Sequence, residues 1–150
     1  MIEFRIGDKV EELKFNFKAK WKADQNFSSK DADGNSAENG AATIWLGLIY
    51  QQSDTALVSA LQSMTNHTKD ELIDAVEANA EEAGGIGKLI DKFAEEIKKS
   101  DFFRHAATQF LGQEEKFLAI LKKKKDKTEE DKANIDGLSS GIQMMKETLS

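Results

Sequence analysis

The residues able to do chemistry are few and scattered along the chain. His67 and His105 are the only histidines among 150 residues, and neither has an acid or a second histidine at ligand spacing on an obvious common face. Cysteine is absent, which removes thiolate nucleophiles, disulfides and cysteine-held zinc or iron–sulfur centres. The run Gly84-Gly85-Ile86-Gly87-Lys88 has the composition of a phosphate cradle but neither the spacing of a Walker loop nor a buried strand before it, so it reads as a helix break. Asp31, Asp33 and Asn35 resemble the start of a calcium loop. Glycine falls at the fourth place instead of the sixth, however, and Ala42 stands where the bidentate Glu belongs, so the stretch reads as a turn. Glu81-Glu82 and Glu95-Glu96 read as solvated helix faces. Lys122–Lys125 reads as a solvated charge run or a contact for an acidic partner. No catalytic residue, cofactor or metal follows from these residues, and the chain reads as a non-enzymatic binding protein.

The elements that would position any site are mostly helical. There is no proline, so nothing interrupts long helices. Ile2, Phe4 and Ile6 alternate, Gly7-Asp8-Lys9 supplies a turn, and Val10–Phe17 continues as a second strand, which together predict a β-hairpin. Val10 and Leu13 are out of phase, and a bulge near Glu11-Glu12 would repair the register. The stretch LKFNFKAKWKADQNF then changes from strand to helix period. Its Phe15, Phe17, Trp21 and Phe27, together with Trp45, are expected to organise the core.

Residues 28–40 carry no large apolar side chain and form a surface loop. Ala41, Ile44, Trp45, Leu48 and Ile49 trace one helical face, as do Ala56, Leu57, Ala60, Leu61 and Met64 after a start at Ser53-Asp54. Thr68 with Glu71 is a capping-box start for a helix that Gly84-Gly85 ends. Ile86 to Ile97 form another, and Ser100-Asp101 caps a longer one in which Phe103, Phe110 and Phe117 recur by sevens. After a charged stretch, Ile135, Leu138, Ile142, Met145 and Leu149 make a short heptad seam that needs a partner surface. The expectation is an α+β, mostly helical fold, an N-terminal hairpin packed on a bundle of five to six helices. Residues 1–125 form the main domain and residues 126–150 a C-terminal helical extension. The seam and Phe103, Phe110 and Phe117 are the candidate partner-binding residues.

Charge narrows the partners. Residues 1–30 hold seven Lys/Arg against five Asp/Glu, residues 31–100 five against thirteen, and residues 101–150 nine against nine, for a net −6. An acidic middle argues against nucleic acid. No apolar stretch is long enough to span a bilayer, and the N-terminus lacks the basic start and apolar run of a signal peptide, so a soluble cytoplasmic protein with no membrane partner is expected.

Together, the hairpin, the corner LKFNFKAKWKADQNF, the loop FSSKDADGNSAENGAA and the helix after it resemble the tail assembly chaperones of long-tailed bacteriophages, in the branch found in phages of Gram-positive hosts. The resemblance runs through DTALVSAL, roughly the first 65 residues. It implies a protein without catalytic activity that coats and solubilises the tape-measure protein and helps recruit tail-tube subunits. Self-association along the client, residence in the cytoplasm of the infected bacterium and absence from the mature virion are implied with it. So is a longer frameshifted product, for which Lys122–Lys125 could be encoded by a slippery tract. The alternative from a different class is a small acidic adaptor or regulator that docks one host or phage protein through the C-terminal heptad helix.

Overall fold

A computed structural model describes all residues, 1–150. Two strands, β1 (Ile2–Ile6) and β2 (Lys9–Leu13), precede seven helices: α1 (Phe17–Phe27), α2 (Gly40–Ile49), α3 (Asp54–Met64), α4 (Lys69–Ala83), α5 (Ile86–Lys98), α6 (Asp101–Lys123) and α7 (Glu129–Leu149). The fold is α+β and mostly helical, as expected. It has seven helices because both the short basic stretch after the hairpin and the C-terminal segment fold as full helices.

The hairpin turns through Gly7, whose φ of +62° is open to glycine at little cost. Its register pairs Ile2 with Leu13 and Ile6 with Lys9 without interruption, so the bulge expected at Glu11-Glu12 does not form. The phase conflict is settled more simply: Val10 is left exposed and Leu13 is buried. The second strand also ends at Leu13, short of Phe17. Ile2, Phe4 and Ile6 face the helices, with Phe4 set edge-on to Phe93 at 5.7 Å. The free edge of β1 is closed by Asn79 of α4, whose side chain accepts from the Arg5 N–H at 3.1 Å and donates to the Arg5 carbonyl at 2.8 Å. One amide thus stands in for a third strand and covers the exposed edge. Asn79→Ala leaves both backbone groups without this partner, and we expect a loss of about 1–3 kcal/mol in urea unfolding.

α2 lies at the centre, packed by α1, α3, α5, α6 and α7. Its composition explains the position: Ala41, Ala42, Ile44, Trp45 and Leu48 are all buried, and the helix carries no charged residue. Its N-terminus is held by α1. The buried carboxylate of Asp24 accepts from the Ala41 N–H at 2.9 Å, Ser28 Oγ accepts from the Gly40 N–H at 2.9 Å, and Lys20 pairs with Asp24 at 2.7 Å. An anion at a helix N-terminus satisfies free N–H groups and the helix dipole together. Between these anchors the 28–40 loop is built on Asp31, whose side chain accepts from the backbone N–H groups of Asp33 and Asn35, both at 2.9 Å. That is turn chemistry.

The corner after the hairpin divides in two. Phe15 stands edge-on to Phe103 at 5.2 Å and to Phe93 at 6.4 Å, and its carbonyl accepts from Ser100 Oγ at 2.7 Å, tying the hairpin to the start of α6. Phe27 is half-buried against the core. Phe17 and Trp21, expected to be organisers with them, instead remain 52% and 56% exposed. The reason lies in the helix itself: Ala19 and Ala23 supply the buried face of α1, and their small side chains bring it so close to α2 and α3 that the large rings must point outward.

Caps end the helices as the sequence indicates. Ser53, Thr68, Ser100 and Thr128 each accept from a backbone N–H in the first turn, and Thr128 forms a full capping box with Asp131. Gly84 closes α4 in the left-handed region at φ +91°. No helix is long and apolar enough to cross a membrane.

Candidate protein interaction surfaces

The polar candidates resolve into structural roles. His67 lies in the turn before α4, and its ring bridges two acids, Nδ1 to Glu71 at 2.9 Å and Nε2 to Glu11 at 2.5 Å. This corrects the reading that it had no acid at useful spacing. Glu71 is four residues on, the spacing that places side chains on one helical side, while Glu11 arrives from β2 through the fold. The two carboxylates hold the His67 pKa above its ordinary value, the hydrogen bond to Glu71 contributing most and that to Glu11 next. The Glu71 carboxyl is lowered in turn, chiefly by the His67 hydrogen bond. The cluster is a clasp between hairpin and α4.

Its contribution to stability is complete below the ordinary histidine value of about 6.5 and lost as pH rises through the raised value of the folded state. The Glu71 contribution runs the other way, present above the ordinary carboxylate range and lost as pH falls through its lowered value. Partial exposure keeps both effects small. Melting temperature is therefore expected to fall between neutral and mildly alkaline pH, and His67→Ala to flatten that slope.

His105 sits on the exposed side of α6. Gly84 and Gly85 carry the helix break: the Gly85 N–H bonds the Ala80 carbonyl at 2.8 Å, closing α4 before α5 begins. Glu81 and Glu82 are exposed, as are Lys122–Lys125, of which Lys124 pairs with Asp131 at 2.9 Å.

The apolar candidates separate by position along the α6–α7 hairpin. Phe103 is fully buried, Phe110 half-buried and Phe117 54% exposed. A seven-residue spacing drifts around a straight helix, and α6 runs out beyond the body: its fully buried residues, Phe103 and Ala107, both lie in the first two turns. α7 returns antiparallel along α6. In the seam, Ile142 and Met145 are buried, Ile135, Leu138 and Leu149 half-buried. The C-terminal end of α7 is locked into the body, where Trp45 Nε1 donates to Thr148 Oγ1 at 2.8 Å. Arg104 lies 5.2 Å over the Trp45 ring and donates to the carbonyls of Leu149 and Lys98. The second half of the seam is thus filled by the chain's own core, and its first half faces α6 far from that core.

Three exposed apolar surfaces remain. The distal arm presents Phe117 and Ile120, the latter 67% exposed. A second surface joins α1 to α6, where Phe17 stacks within 6.2 Å of Trp21 and 5.5 Å of Phe102. A third is the groove between α3 and α4, lined by Val58, Ile73, Val76 and Ile86. Phe102 and Ile120 had not been singled out from the sequence, although a signal was there: Phe102, Ala106, Gln109, Gln113, Phe117 and Ile120 form a stripe at three- and four-residue spacing without a single charge.

Comparison with known proteins bears on this arrangement. Neither the curated proteins nor the solved structures contain a significant match to the chain. The family model described as phage tail assembly chaperone protein, TAC, matches residues 3–111, the span from the hairpin through the buried turns of α6. That match covers most of the chain, from the hairpin to the first half of α6, and the chain therefore belongs to the phage tail assembly chaperone family.

Proposed function

We propose that the chain coats the tape-measure protein of its phage, keeps that long helical client soluble before the tail tube forms, and helps recruit tail-tube subunits, acting by binding alone in the host cytoplasm without entering the finished virion. The reading rests on family membership, and one observation carries it further: the distal part of the α6–α7 hairpin projects its apolar residues away from the core that buries Phe103 and Met145. Phe117 and Ile120 are exposed there, and Ile135 and Leu138 lie on the facing helix. An amphipathic client helix can lay its apolar face along such an arm. The contact stays small enough to be displaced when tube subunits arrive, because complexes of this kind differ mainly in how fast they dissociate. Of the candidate residues, Phe117 is assigned to the client, Ile135 and Leu138 join α7 to α6 along the arm, and Phe103, Phe110, Ile142, Met145 and Leu149 hold the arm on the body.

Co-expression with the tape-measure product of the same genome tests this. The client is expected to become soluble and to co-elute with the chain in size-exclusion chromatography with light scattering. Phe117→Asp with Ile120→Asp is expected to abolish co-elution while leaving the circular dichroism and melting temperature of the isolated chain unchanged, since both side chains are exposed. A client that stays insoluble beside the wild-type chain would contradict the proposal.

A further inference from the structure

Packing requires glycine at position 40, because a Cβ there would lie 1.9 Å from the Ala23 carbonyl oxygen. The residue before it is Asn39, so the fold carries the dipeptide most prone to lose ammonia. In that reaction the glycine backbone nitrogen gives its proton to a base in the solvent and attacks the asparagine Cγ. The new C–N bond closes a succinimide ring, the bond from Cγ to Nδ2 breaks, and ammonia leaves. Water then opens the ring at either carbonyl to give aspartate or isoaspartate. Glycine favours the attack because it has no Cβ to obstruct it and a freely turning backbone, which is one reason asparagine is thermolabile.

At Asn39 the groups that this reaction needs are already engaged. The Gly40 N–H donates to Ser28 Oγ at 2.9 Å, and that hydroxyl donates to the Asp24 carbonyl at 2.6 Å. Asn39 Oδ1 accepts from the Ser29 N–H and Asn39 Nδ2 donates to Ser29 Oγ, both at 2.9 Å. Asn39 stands at the start of α2, yet its side chain makes no capping bond to the helix and serves Ser29 instead. Gly40 is buried and Asn39 half-buried. Asn35, in the same loop, has no such hold. Asn35 and Ser36 are exposed, and neither the Asn35 side chain nor the Ser36 N–H makes a hydrogen bond.

We propose that Asn39–Gly40 is a latent deamidation site, locked by Ser28 and Ser29 in the folded chain and released when the corner between α1 and α2 opens. By sequence Asn39 should react before Asn35, since glycine follows the one and serine the other; the fold reverses that order. A helix end opens locally at a lower free energy than the whole fold, so conversion at Asn39 records openings of this corner. The record is permanent. Isoaspartate adds a methylene to the main chain next to Gly40, which is already seated too close to Ala23 to admit a Cβ, so a converted chain cannot reseat α2 on α1. This chemistry is independent of client binding and uses neither Phe117 nor Ile120.

The test incubates the purified chain at mildly alkaline pH beside a synthetic peptide of residues 28–43 as the unfolded reference. Mass spectrometry with electron-transfer fragmentation follows positions 35 and 39 separately. In the peptide Asn39 is expected to convert first. In the native chain Asn39 is expected to convert at least about tenfold more slowly than in the peptide, while Asn35 keeps close to its peptide rate and overtakes it. Ser28→Ala removes the acceptor of the attacking nitrogen and is expected to speed Asn39 about fivefold, with Asn35 unchanged. Ser29→Ala, which frees Nδ2, serves as the second variant should the first lose its circular dichroism. In urea both positions should return to their peptide rates. A native chain in which Asn39 converts as fast as in the peptide, or folded variants at Ser28 and Ser29 that both convert at the wild-type rate, would overturn the proposal.

Discussion

Trp45→Ala is expected to lower the unfolding free energy by about 3–5 kcal/mol, the range for removing a buried large aromatic. The ring is fully buried in the central helix. It also anchors the C-terminal end of the chain, because its Nε1–H donates to Thr148 and its face carries Arg104, whose guanidinium reaches the carbonyls of Leu149 and Lys98. The substitution therefore removes core volume and releases α7 together. Two measurements separate these effects. Urea unfolding reads the whole loss, whereas limited proteolysis at low denaturant reads the release, with cleavage expected first in α7. Trp45→Phe keeps most of the volume and gives up the hydrogen bond, for an expected loss on the order of 1 kcal/mol with faster cleavage of α7. Equal protease resistance of α7 in all three proteins would show that Trp45 does not hold that helix.

Gly40→Ala is expected to be nearly as damaging, although it adds a single methyl group. A Cβ at position 40 would lie 1.9 Å from the Ala23 carbonyl oxygen and 2.6 Å from its carbon. Both are backbone atoms of a neighbouring helix and have no rotamer by which to move away. The N-terminus of α2 must shift, and the shift breaks the bonds from the Ala41 N–H to Asp24 and from the Gly40 N–H to Ser28. Overpacking typically costs about 1–3 kcal/mol, and the lost helix cap adds on the order of 1 kcal/mol. A loss of melting temperature accompanied by weaker helical circular dichroism is the expected outcome. Gly137→Ala is the control: nothing lies within 4 Å of its added Cβ, so alanine there should be neutral or slightly stabilising through helix propensity.

The elements were legible where one local rule governs them. Caps at Ser53, Thr68, Ser100 and Thr128 and the glycine stop at Gly84 depend on neighbouring residues, and these mark the helices in the sequence. The burial of the central helix was legible for the same reason, since α2 has no charge to keep any face in water. What could not be read depends on how close two helices come. Trp21 invites a core assignment by size and hydrophobicity, but Ala19 and Ala23 decide which face of α1 is buried, and only the packed structure shows the rings turned out. The His67 clasp was half legible, through its spacing to Glu71; Glu11 reaches it from 56 residues away. The heptad seam of α7 was visible as a pattern, yet a pattern does not name its partner, and here α6 and the Trp45 pocket supply it.

The most direct test of the proposed client site is photo-cross-linking with benzoylphenylalanine placed singly at position 117 and at position 21, each variant co-expressed with the tape-measure protein. The expected result is a cross-link to the client from position 117 and none to the client from position 21. If the client were instead captured from position 21 and not from 117, the client would lie on the body and not along the α6–α7 arm.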